Sequence, residues 1–292
     1  MKQQLTHDNQ STLHLQAQLE QQLTQAQLEQ QLTQAQLEHQ QQTHRQFHLQ
    51  RTDIHAGHLI LVNSEHPVRG HAEQQALEQQ CSNQLSALLH ACKAMDSIVV
   101  VSGYRSIVEQ QYIYEASLIE NGAEFTASYV ARPGESEHQT GLAVDVGEVS
   151  DHVDFICPAF PDHGVCLQFK LLAAKYGFIQ RYQDGKRCVT NIACEPWHYR
   201  YVGYPHSKIM EQLELCLEEY TEFVKQYSYE EPYRYLINKV TSIAIYYVQA
   251  EEKCETTAVP ILKGEQHQVS GNNKDGFVVT VWTEQGSDDG EY

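Results

Sequence analysis

Hydrophobic and polar positions recur with different periods along this chain, and each period predicts an element. HLILVN at 58–63 and SIVVVSG at 97–103 are apolar runs of strand length, which read as strands. Between them Ala76, Leu85, Leu88, Leu89 and Cys92 recur at helical spacing. Ser106 stands three residues before Glu109, a capping-box pair that opens a helix expected to end at Asn121 and Gly122. LAVDVG at 142–147 alternates, with Leu142, Val144 and Val146 on one side and Ala143, Asp145 and Gly147 on the other, the period of a half-buried strand. CLQFKLLAAKYG reads as a short helix closed by Gly177, and a longer helix is expected from Ser207 with Ile209, Leu213, Leu217, Tyr220 and Val224 on one face. After about residue 230, SIAIYYVQ, TAVPIL and HQVSGNNKDGFVVTVW predict strands, with a turn at Asn272 to Gly276.

The first 48 residues obey none of these periods. LEQQLTQAQ occurs twice in succession over residues 19–36. Nine residues at about 100° each advance roughly two and a half turns, so Leu19 and Leu28 fall on opposite sides of a helix and no seam forms. Residues 1–48 are therefore expected to be a low-complexity, glutamine-rich extension, helical in patches at most. A main folded domain with a trailing helix is expected over 49–228, a small β-rich accessory unit over 229–284 and a disordered tail over 285–292.

Composition narrows the partners. A net charge of −18 over 292 residues argues against a nucleic-acid binder, which needs a surplus of lysine and arginine. No segment has the apolar length of a membrane span, and the polar beginning is unlike a secretory signal. The expected location is cytoplasmic, with export the alternative if a signal lies upstream. The eight cysteines form no C-x-x-C pair and read as small buried thiols in a reducing compartment. Cys188 and Cys194 flank a short turn and would bridge in an exported protein.

Chemistry concentrates at two places. In SEHQTGLAVD, His138 precedes Asp145 by seven residues. The strand neighbours of Asp145 on its own side, Ala143 and Gly147, are so small that its carboxylate is expected to stand in cleared space. In EPWHYRYVG, Glu195 and His198 are three apart, and Pro196 keeps its predecessor out of helical geometry. A bend there turns both side chains toward one site. Two imidazoles and one carboxylate with a fourth position open make the ligand pattern of catalytic zinc. Glu195 is left over as a base, and Arg105, on a loop between strand end and helix start, is the cation for a developing oxyanion.

SGYRS at 102–106, SEHQTGLAVD at 136–145 and EPWHYRYVG at 195–203 resemble, in order and approximate spacing, the three signature segments of the zinc D-alanyl-D-alanine carboxypeptidases of the VanY and VanXY type. The resemblance covers roughly residues 55–205. It implies an α+β fold of the Hedgehog/DD-peptidase-like zinc type, a small antiparallel sheet flanked by helices, here with a small C-terminal β-rich unit. It implies His138, Asp145 and His198 as zinc ligands, Glu195 as catalytic base and Arg105 as transition-state stabiliser. Ser136 and Gln110 would lie near the bound peptide end and Trp197 would wall the pocket. The implied substrate is a peptidoglycan precursor or another peptide ending in D-Ala-D-Ala, whose removal depletes the target of glycopeptide antibiotics. An exported L,D-carboxypeptidase and a non-catalytic wall-binding module are the rival readings, and the intact Glu195 speaks against the second.

Overall fold

The structure, a computed structural model, describes residues 25, 44–69, 76–238, 241–262 and 266–284. The chain divides into two compact units, residues 1–47 with 260–265 and residues 48–259 with 266–292. Except for Gln25, the glutamine-rich repeat lies outside the described residues, as does the tail after 284. Strand β1 is His44–Gln50, so residues 44–48 are extended rather than patchily helical.

The stretch at 58–63 departs from expectation. It forms no ladder, yet Leu59, Ile60, Leu61 and Val62 are all buried. Ile60 and Val62 join one apolar cluster and Leu59 and Leu61 a second, so the segment threads between two cores and presents alternate side chains to each. Three of its carbonyls are met by side chains: Arg200 donates to the oxygens of His58 and Ile60, and Asn273 donates to that of Leu61. Buried backbone groups need partners, but a guanidinium can replace a neighbouring strand.

Helix α1 (Gln79–Ala91) follows, begun by the Glu78 carboxylate accepting from the Cys81 amide. Strand β2 (Ile98–Ser102) leads into α2 (Ile107–Glu120), whose Ser106–Glu109 capping box forms as the sequence predicts. The turn at Gly122 has φ +84°, and α3 (Gly122–Tyr129) starts at once. Strand β3 (Ala143–Glu148), α4 (Gly164–Ala173), β4 (Phe178–Gln180), the single turn α5 (Arg187–Thr190) and β5 (His198–Tyr201) complete the first sheet, which is antiparallel with order β2-β3-β5-β4. Val144, Val146, Tyr199 and Tyr201 pack from this sheet onto Leu85 and Leu88 of α1 and Phe169 of α4.

The long helix expected from Ser207 is two helices, α6 (His206–Leu213) and α7 (Leu217–Val224). Glu214 takes a left-handed φ of 53°, and Cys216 with Glu219 makes a fresh capping box. Strands β6 (Tyr233–Leu236), β7 (Thr241–Gln249), β8 (Thr256–Leu262), β9 (Gln266–Gly271) and β10 (Gly276–Glu284) follow. β8 pairs with β1, and the others form a second four-stranded sheet of order β6-β7-β10-β9. Ile243, Ile245 and Val278 of this sheet share a cluster with Ile209, Leu217 and Tyr220 of α6 and α7. All eight cysteines are free, Cys188 and Cys194 included, with Cys188 exposed. Among the described residues no helix is long and apolar enough to cross a membrane.

Candidate metal and catalytic site

The strand register creates the site. β3 and β5 are antiparallel with Asp145 directly opposite His198, and opposed side chains on one sheet face stand about 5 Å apart. His198 Nδ1 therefore meets Asp145 Oδ1 at 2.9 Å. His138 arrives on a short 3₁₀ turn, Glu137–Thr140, ended by Gly141 at φ 70°, a left-handed conformation suited to glycine. The turn delivers His138 Nε2 to within 3.1 Å of Asp145 Oδ2.

Each ring is oriented from behind. His138 Nδ1 donates to the Gly103 carbonyl at 2.6 Å, which leaves Nε2 to face Asp145. His198 Nε2 lies 3.4 Å from Glu137 Oε2, which leaves Nδ1 to face the same carboxylate. One ligand atom from each of His138, Asp145 and His198 falls within 4.8 Å of the others, and among the described residues this is the one such grouping. Two imidazole nitrogens and a carboxylate oxygen, converging with their outer atoms engaged, fit a zinc ion in donor chemistry and in outer-shell support.

The charge balance follows from burial. Burial works against ionised Asp145, but His138 and His198 overcome it and hold the carboxyl well below the usual range. Burial, with Arg105 beside it, lowers His138. For His198 burial is outweighed by the hydrogen bonds to Asp145 and Glu137, which raise it to about 9.

Glu195 sits on the far side of the turn at Pro196 and Trp197, and the His198 amide donates to its carbonyl at 3.3 Å. Its carboxylate is buried, lies 3.8 Å from His198 Nδ1 and makes no hydrogen bond among the described residues. Burial pushes it up to about 8, against the pull of His198. The bend read from Pro196 thus brings Glu195 and His198 to one place.

Arg105 reaches in from the loop after β2. Its Nη2 donates to Asp145 Oδ2 at 2.5 Å and to His138 Nε2 at 3.1 Å, while Nε donates to Ser102 Oγ at 2.7 Å. Gln110 is spent on holding this arginine: its Oε1 accepts from Arg105 Nη1 at 3.2 Å and its amide donates to the Ala131 carbonyl at 2.8 Å. Ser136 is buried, and its hydroxyl has no hydrogen-bond partner among the described residues. Trp197 is half-buried, backed by the first apolar cluster. All eight residues line one cavity of about 780 Å³, with Tyr104, Tyr112 and Phe155 among its aromatic walls. The space expected beside Gly147 is filled from within: a Cβ there would meet Pro158 at 3.1 Å and Val101 at 3.3 Å. That glycine admits protein, not ligand.

Glu137 escaped the sequence reading. Its carboxylate is fully buried, and besides His198 it accepts from Arg181 and Arg200, each at 2.7 Å. Burial opposes its charge, and the two arginines overcome that and hold it ionised. The available signal lay elsewhere: Arg181 and Arg200 stand in the mostly apolar or aromatic runs FIQRY and WHYRYV, and buried cations require a buried anion.

The family described as D-alanyl-D-alanine carboxypeptidase, VanY, matches residues 74–204. The bifunctional D-Ala-D-Ala dipeptidase and carboxypeptidase VanXYC of Enterococcus gallinarum is 39% identical over 181 residues, 58% of this chain and 95% of that protein. A D-alanyl-D-alanine carboxypeptidase of Enterococcus faecium is 30% identical over 257 residues, 78% of this chain and 76% of the relative. The crystal structure of the vancomycin resistance D,D-dipeptidase VanXYg, in complex with a D-Ala-D-Ala phosphinate analogue, is 43% identical. It superposes with a TM-score of 0.80 over 82% of this chain and 99% of its own. With matches that run nearly the full length of two such proteins, this chain belongs to the VanY family of D-alanyl-D-alanine carboxypeptidases.

Proposed function

We propose that this protein is a zinc-dependent D,D-carboxypeptidase that removes the terminal D-alanine from peptides ending in D-Ala-D-Ala and also splits the free dipeptide. The observation that carries the reading is the convergence of His138, Asp145 and His198 beside a buried Glu195 that makes no hydrogen bond among the described residues, in the wall of a single cavity. The activities named for the relatives support it.

His138, Asp145 and His198 would hold the zinc, which when bound supplies Lewis acidity toward a water and a peptide carbonyl. Glu195 takes the proton from the attacking water and returns it to the nitrogen of the departing D-alanine. Burial raises this carboxyl, which favours the protonated form that returns the proton. Arg105, fixed by Ser102 and Gln110, presents its guanidinium to the carbonyl oxygen as negative charge develops. The Ser136 hydroxyl donates to the free carboxylate of the chain end, the feature that separates a terminal bond from an internal one. Loss of such termini removes the binding target of glycopeptide antibiotics.

Mass analysis of products from D-Ala-D-Ala, a pentapeptide ending in it and the corresponding tetrapeptide tests this. Free D-alanine from the first two, with the tetrapeptide intact, is expected. Cleavage of the tetrapeptide with the pentapeptide untouched would replace it by an L,D-specific reading.

A further inference from the structure

Arg181 and Arg200 are both fully buried, and they differ in how their charge is met. Arg200 gives one nitrogen to Glu137 Oε1 at 2.7 Å and the rest of its fork to the carbonyls of Tyr201, His58 and Ile60. Arg181 takes no carbonyl. Its Nε donates to Glu137 Oε1 at 2.7 Å, while Nη1 and Nη2 make a bidentate pair with Glu218 at 2.8 and 2.7 Å. Two guanidinium groups and two carboxylates thus form one neutral set, fully buried except at its Glu218 end. Its hydrogen-bond contact with a proposed ligand, among the described residues, is Glu137 Oε2, 3.4 Å from His198 Nε2.

The negative charge that Glu137 presents to His198 depends on how Arg181 divides itself. With Glu218 in place, most of that cation is matched on the α7 side. Without it, the whole guanidinium charge bears on Glu137 in a low-dielectric setting, where such terms are large. An outer carboxylate raises the basicity of a ligand imidazole, so anything that neutralises it weakens the metal's hold. Glu218 lies outside residues 74–204 and does not line the cavity; its remaining neighbour is Asn63, whose amide donates to it at 3.3 Å.

We propose that Glu218 is a positioning residue for His198, acting through Arg181 and Glu137 to set the protein's affinity for zinc. The proposal rests on the zinc site described above, and the two can fail separately.

The test is the zinc dissociation constant of the full chain, measured by competition with a chromogenic chelator at fixed pH. Glu218→Gln is expected to weaken binding by roughly tenfold, the lower end of outer-shell effects. Arg181→Met, which frees Glu137 from one partner, should tighten it. Arg181→Met with Glu218→Leu should bind zinc as Arg181→Met alone does, because Glu218 has no route to Glu137 once Arg181 is gone. A merely structural role weakens binding in every variant, so the opposite signs are the diagnostic. If Glu218→Gln does not fold, Arg181→Met decides alone, and unchanged or weaker binding there overturns the proposal. If Asp145→Ala binds zinc as well as the unaltered chain, the zinc site itself is wrong and the relay falls with it. If only the Glu218 and Arg181 variants are unchanged, the site stands and the relay is withdrawn.

Discussion

Two four-stranded antiparallel sheets in this protein share an architecture and differ in what their inner strands bury. In the first, β3 and β5 bring Asp145, His198 and Arg200 to one face, each 5% exposed or less. In the second, β7 and β10 bury Ile243, Ile245 and Val278. Between that second core and the helices above it, a neutral His206 joins the Tyr220 hydroxyl at 2.7 Å to the Thr280 hydroxyl at 2.9 Å. Buried ions cost free energy unless matched, whereas apolar burial is favourable by itself. Chemistry is thus confined to the sheet where register sets ionisable groups opposite one another, and the second sheet contributes packing.

The largest expected effect breaks the first sheet's chemistry and leaves its structure. Glu195→Gln keeps the shape and removes the base, so turnover of a D-Ala-D-Ala pentapeptide should fall by about 10²–10⁴ with unchanged unfolding behaviour. Arg105→Lys keeps a charge but not the planar fork that Ser102 and Gln110 orient. It should lower turnover on the order of 10² with little change in KM.

Next comes a break in the second sheet. Ile245→Ala removes a side chain that is 1% exposed. It should cost about 2–5 kcal/mol in urea unfolding with zinc content retained. Lost zinc at full stability would show that the second sheet shapes the site.

The smallest effect is a pH dependence. Burial, helped by the nearby His58, lowers His206 from 6.5 to about 3. The unfolded chain therefore binds a proton in that window that the folded protein refuses, and stability is lost as pH falls through the unfolded value. The loss should be about 1 kcal/mol between roughly pH 6.5 and 5.5. Chemical denaturation of His206→Gln against the unaltered protein should show that part of the slope removed; identical slopes would mean the imidazole is not held neutral.

Much of the site was legible because its signals are local. The alternation around Asp145, the proline after Glu195 and the Ser106–Glu109 pair each act within a few residues, and strand, bend and helix start follow as read. Other features depend on partners far away in the chain. The run at 58–63 has the composition of a strand, but its neighbours are two side-chain clusters and the Arg200 guanidinium. Glu137, beside a ligand in a polar stretch, reads as solvated until Arg181 and Arg200 are seen to converge on it from strand ends more than forty residues away. The break at Glu214 was locally visible in the Cys216–Glu219 spacing, but the apolar face from Ile209 to Val224 runs through it and hid it.

The most direct measurement is zinc stoichiometry by native mass spectrometry of the unaltered chain, Glu195→Gln and Asp145→Ala. If the two histidines and Asp145 are the ligands and Glu195 the base, about one zinc per chain is expected in the first two and none in the third. Zinc retained by Asp145→Ala, or lost from Glu195→Gln, would contradict that division of roles.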